Sequence, residues 1–94
     1  MASRETAEEL AIQALTFIAE DATRLGRFLA TTGIGPQQIR DAAREPHFLA
    51  GVLDYLASDE QLLTAFAAEA RIDPAAVGEA CAALAGDRWE REVP

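Results

Sequence analysis

Lysine is absent from the 94 residues, so all eight cationic side chains are arginine, and they face sixteen Asp and Glu for a net charge of −8. Such acidity disfavours a general affinity for nucleic acid or an anionic membrane, because phosphate must be approached against the net field. Cysteine occurs once, at Cys81, which excludes an internal disulfide and fits a reducing compartment. No run approaches 18 apolar residues, and Met1 to Glu9 carries three acids and no apolar stretch. Neither a membrane span nor a signal peptide is therefore expected, and a cytoplasmic location is. Only four Pro and six Gly occur, most of them at segment ends, and strand-like alternation of Val, Ile, Thr and Tyr is missing.

What is present is alanine, 21 residues of it, in a chain that is 50% apolar. That is the usage of short packed helices, in one domain spanning 1–94 that buries about 60–65% of its unfolded surface. Residues 8–45 overlay residues 46–83 without a gap, at an offset of 38. Nine positions are identical, among them Leu15/Leu53, Asp21/Asp59, Phe28/Phe66 and Pro36/Pro74. Chance pairing of this composition gives about four. The overlay predicts an all-α fold, a compact six-helix domain built from two tandem three-helix repeats, 8–45 and 46–83, with a charged tail at 87–94. Two copies are too few for an open solenoid, so the units are expected to close on each other.

Local signals place the helices. Thr6 followed by Glu9 has capping-box spacing and starts the first helix after Thr6, with Leu10, Ala11, Ala14, Leu15 and Ile18 as its buried stripe and Phe17 beside it. Asp21 caps a second helix running to about Thr32, Gly33 supplies its left-handed end, and Leu25, Phe28 and Leu29 face inward. Gly35 and Pro36 open a short third helix carrying Ile39, Ala42 and Ala43. Glu45 and Pro46 open the fourth, with Phe48, Leu49, Val52, Leu53 and Leu56 inward. Ser58 with Gln61 caps the fifth, whose core is Leu62, Leu63 and Phe66. Asp73 and Pro74 open the sixth, with Val77, Cys81 and Leu84 on one face and Gly86 as its stop.

No catalytic constellation emerges. Gly33-Ile34-Gly35 lacks a preceding strand and a Gly-Lys-Ser/Thr ending, so cap chemistry accounts for it better than a phosphate loop. His47 is the only histidine and has no Cys/His cluster or HExxH partner, which makes it a surface residue rather than a metal ligand. Cys81, among Ala80, Ala82 and Ala83, reads as a buried inert thiol. Glu8, Glu9, Asp21, Asp59, Glu60 and Asp73 sit at helix amino ends, where the helix dipole favours negative charge. The chain is therefore read as no enzyme, with no cofactor and no metal.

Two surfaces remain. Phe28 to Ile39 has helix-turn-helix spacing, with Gln37, Gln38, Arg40 and Arg44 on the candidate recognition helix. Leu29 stands where a small residue is usual, and Asp41 and Glu45 bring negative charge to that helix, so nucleic-acid binding is the runner-up. The difference between the copies is sharper. Arg24, Arg27, Arg40 and Arg44 stand opposite Leu62, Ala65, Gly78 and Ala82, which makes the first copy's face a basic strip suited to an acidic partner. On an ordinary solvated surface, Glu20 and Asp21 could instead pair with Arg24 and Asp41 with Arg44. The apolar counterparts are expected to pack internally, against the tail or against another subunit, with Trp89 as the tail's anchor.

The runs AIQALTFIAED, RLGRFLATTGIGP and HFLAGVLDYLASDEQLLTAFA followed by IDP, from about Glu8 to Leu84, resemble an uncharacterised family of small alphaproteobacterial helical proteins, a domain of unknown function. The resemblance implies a bacterial helical protein and transfers no functional residue. The residues themselves point to a small non-enzymatic helical protein-interaction module, with Arg24, Arg27, Arg40, Arg44 and Trp89 as binding candidates. Its partner is expected to be a protein, with homo-oligomers allowed and nucleic acid and membrane disfavoured.

Overall fold

The computed structural model describes residues 4–92, with side chains through residue 84. Among the described residues there are six α-helices and no strand: α1 Arg4–Ala19, α2 Ala22–Thr32, α3 Ile39–Ala42, α4 Pro46–Ala57, α5 Glu60–Ala70 and α6 Pro74–Glu92, with a 3₁₀ turn at Pro36–Gln38 leading into α3. The radius of gyration is 12.8 Å, against about 12 Å for a globule of this length, so the helices close on one another rather than string out.

The core is the seam between α1, α4 and α6, which make the most extensive contacts. Of the predicted stripe of α1, Ala11, Ala14, Leu15 and Ile18 are buried and Leu10 partly so, joined by Ala7 and Phe17, while α4 contributes Leu49, Val52, Leu53 and Leu56 and α6 contributes Val77, Ala80 and Leu84. Small residues on α1, Ala7, Ala11 and Ala14, are fully buried. An alanine seam lets helix backbones approach closely while the larger chains of α4 fill the space between. Helices α2 and α5 lie outside this seam, each inserting one phenylalanine, Phe28 or Phe66.

Those two insertions cross. Phe28 of α2 meets Tyr55 of α4 edge-on with centroids 5.1 Å apart, and Phe66 of α5 meets Phe17 of α1 at 5.5 Å and 59°. Phe28 and Phe66 are 38 positions apart, as are Phe17 and Tyr55, so each half lends its ring to the other half's first helix. The helix ends share that register: α2 and α5 begin at 22 and 60, and α1 and α4 end at 19 and 57.

Four boundary expectations are corrected. Helix α1 begins at Arg4, so Thr6 lies inside it; burial of Ala7 and an Arg4–Glu8 ion pair of 3.8 Å hold the earlier turn. The cap of α5 is Asp59, whose carboxylate accepts from the Leu62 N–H at 3.1 Å; Ser58 instead ends α4, its hydroxyl donating to the Tyr55 carbonyl at 2.7 Å. A carboxylate outcompetes a hydroxyl for a helix amino terminus because it also meets the dipole. Helix α6 runs through Gly86 to Glu92, since one glycine costs a helix only about 1 kcal/mol and ends it only by turning left-handed. The tail is thus no separate segment up to Glu92, and the anchoring expectation for Trp89 lies outside the described side chains.

Other punctuation is as read. Asp21 accepts from the N–H groups of Thr23 at 2.8 Å and Arg24 at 3.1 Å, and these bonds hold its carboxyl below the ordinary carboxylate pKa. Gly33 closes α2 at φ 74°, its N–H donating to Leu29 at 2.8 Å.

Candidate functional site

The outer flank of α1 carries the most distinctive surface among the described residues. Ile12 sits one position off the buried stripe and is 47% exposed, the one large apolar side chain among them that is exposed. Two depressions, of about 260 and 270 Å³, open along this flank and share Gln13 in their walls. The first lies between α1 and α5, floored by the packed rings of Phe17 and Phe66, walled by Ile12 and Thr16 and rimmed by Glu20 and Glu69. The second lies between α1 and the start of α6, floored by Leu10, Ile72, Ala76 and Ala80 and rimmed by Glu9 and Glu79.

The link between the two is the end of α5. Arg71 takes the left-handed conformation, φ 59° and ψ 46°, and the Ile72 N–H then donates back to Ala67 at 3.0 Å. That reversal packs Ile72 against the core and starts α6 alongside α1. The floor is therefore built from three helices, and its rim carries four carboxylates and, among the described residues, no cation. None of the four is ion-paired among the described residues. Such a surface holds apolar groups and favours cations at its edge.

The arginines singled out from the sequence separate into two kinds. Arg24 is half-buried, its guanidinium 3.9 Å from the centroid of the Phe17 ring, with Nε buried and without a hydrogen-bond partner. It is spent on a cation–π contact. Arg27, Arg40 and Arg44 are exposed, and no ion pair engages any of the four among the described residues. The pairings of Arg24 with Glu20 or Asp21 and of Arg44 with Asp41 are accordingly not formed. Of the opposite residues in the second half only Leu62 packs against the core; Ala65, Gly78 and Ala82 are exposed, because they fall on the solvent sides of α5 and α6.

The remaining candidates also have places. His47 is exposed in the first turn of α4. Cys81 is half-buried, its Sγ 3.6 Å from the Ala50 carbonyl, and burial pushes its thiol pKa up, with the negative charge of Asp54 adding to the effect. A raised thiol pKa keeps the group protonated and a poor nucleophile. Gly35 is extended at φ −77°, its N–H donating to the Gln38 side chain at 3.0 Å, so it points no open amide at an anion. After that turn comes α3, a helix of four residues, about 6 Å long, which presents a single turn where a DNA reader presents a recognition helix. Among the described residues, no group of three His, Cys, Asp or Glu could hold a metal ion, and no helix is long and apolar enough to cross a membrane.

The α1 flank was not evident from the sequence. Its one local signal is Ile12, an apolar residue out of phase with the stripe at Ala11, Ala14, Leu15 and Ile18. Comparison with curated proteins and with solved structures brings up no match. Residues 4–87, which take in α1 to α5 and most of α6, match the family described as protein of unknown function DUF3572, and the chain belongs to that family.

Proposed function

We propose that this protein is a non-enzymatic helical module that binds a partner protein through the outer flank of α1. The observation that carries this reading is Ile12, exposed in the wall of the first of two adjoining apolar-floored depressions, while the other large aliphatic side chains among the described residues are at least partly buried. Apolar surface rimmed by polar residues is the usual mark of a binding site. The test is capture from the native host with the wild-type chain and with Ile12→Arg, an exposed helical position where arginine is well tolerated. Proteins held by the wild type and lost by Ile12→Arg support the reading; identical captures by both sink it.

Arg27, Arg40 and Arg44, exposed and without ion pairs among the described residues, offer a separate acidic-partner surface. Joint reversal of the three to Glu separates the two faces. Capture lost there and kept in Ile12→Arg moves the binding surface to the arginines. The helix-turn-helix reading has less support, given the four-residue α3, and titration with duplex DNA at low salt is expected to show no binding.

A further inference from the structure

We propose that the α1 flank takes a cationic amphipathic helix of a partner protein, with two apolar anchors about two turns apart and Arg or Lys beside them. This rests on the reading above that the flank is a protein-docking surface. The floor residues that α1 contributes to the two depressions, Leu10 and Phe17, are seven positions apart, a rise of about 10 Å along the helix. A helix laid along α1 therefore meets them with residues at i and i+7, the spacing by which groove-bound helices are anchored. The lined stretch, Thr6 to Glu20, is about 21 Å long, enough for four turns.

Charge selects among occupants. Glu20 and Glu69 edge one depression and Glu9 and Glu79 the other, with no cationic side chain among the described residues of either lining. Arg24, stacked on Phe17, belongs to neither lining, and the rim stays negative. Nucleic acid and anionic lipid are repelled there. A second copy brings a net charge of −8 of its own. A peptide helix with arginines or lysines along the sides of an apolar stripe satisfies both the floor and the rim.

The test uses the full chain and three synthetic 18-residue peptides. One is an amphipathic Leu/Arg helix with anchors at i and i+7, the second carries Glu in place of Arg, and the third scrambles the first. Binding is read by calorimetry and by backbone amide chemical shifts. The Leu/Arg helix is expected to bind, to shift Ile12, Phe17, Phe66 and Ile72, and to weaken as salt rises. Joint replacement of Glu9, Glu20, Glu69 and Glu79 by Gln is expected to weaken it by about tenfold or more, and Ile12→Arg to abolish it. Equal binding of the scrambled peptide, shifts lying off the flank, or no binding overturns the proposal. Equally tight seating of the Glu peptide on the flank overturns the cationic preference and leaves protein docking standing. Shifts at the flank that grow with protein concentration alone name a second copy as the occupant and overturn the proposal. Failure of every peptide alongside capture that depends on Ile12 separates the loss of this proposal from the loss of the docking reading.

Discussion

Residues 8–45 and 46–83 end their first two helices in the same register and then part company. Asp21 and Asp59 both accept backbone N–H groups at a helix start, and Gly33 and Arg71 both close a helix in the left-handed region. Past Pro36, however, Pro46 follows within ten residues. A residue before proline is held extended, as Glu45 is at φ −93° and ψ 118°, so α3 has one turn and buries nothing fully. Past Pro74 no proline intervenes before Pro94, and α6 runs to Glu92 and completes the core. Caps decide where helices begin and end; the distance between breakers decides which of them reaches the interior.

The contrast can be broken or sharpened by paired substitutions. The largest effect belongs to the crossed phenylalanines. Phe28→Ala is expected to cost about 3–5 kcal/mol in urea unfolding and Phe66→Ala the lower end of that range, because Phe28 meets both Phe48 and Tyr55 whereas Phe66 borders an open depression. An equal or larger loss at Phe66 contradicts that ranking. Next come the third elements: Leu84→Ala in α6 should cost about 2–5 kcal/mol, and Ile39→Ala in α3, half-buried, about 1 kcal/mol. Comparable losses would mean that α3 supports the core as α6 does.

Smaller effects test the left-handed positions in opposite directions. Gly33→Ala, at φ 74°, should destabilise by about 1 kcal/mol, and Arg71→Gly, at φ 59°, should stabilise by up to about 1 kcal/mol. A destabilising Arg71→Gly would give the arginine side chain a structural role. The smallest effect is that of the amino caps, read as melting temperature. Asp21→Ala is expected to lower it more than Asp59→Ala, since the Asp21 carboxylate accepts two N–H groups and that of Asp59 one. The Asp21 pKa is depressed by folding, so its contribution is present above the unfolded carboxylate value of about 3.9 and disappears as pH falls through the lower folded value. The gap between wild type and Asp21→Ala should therefore narrow on acidification below about pH 4.

What was legible in the sequence was local. Asp21, Gly33, Pro46 and Pro74 act within a turn of their own position, and the stripes of α1 and α4 follow from helical periodicity. Choices between neighbours were harder, as with Ser58 against Asp59, where a change of one position decides which oxygen meets the helix start. The α1 flank was beyond reach for a different reason: its floor brings Leu10 and Phe17 together with Phe66, Ile72 and Ala76, residues distant in the chain. Arg24 looked like solvent-facing charge because nothing near it in sequence places the Phe17 ring under its guanidinium.

The placement of α6 has a consequence for how the molecule comes into being. Its contacts with α4 and α1 outweigh every other pairing, and Val77, Ala80 and Leu84 fill the seam between those two helices. A ribosome adds about 5–20 residues per second and releases them from the amino end, so α1 and α4 emerge with their apolar stripes bare and wait for α6. The native core is thus reached only once α6 has been made, and during that interval the nascent chain offers chaperones the very stripes that α6 later covers.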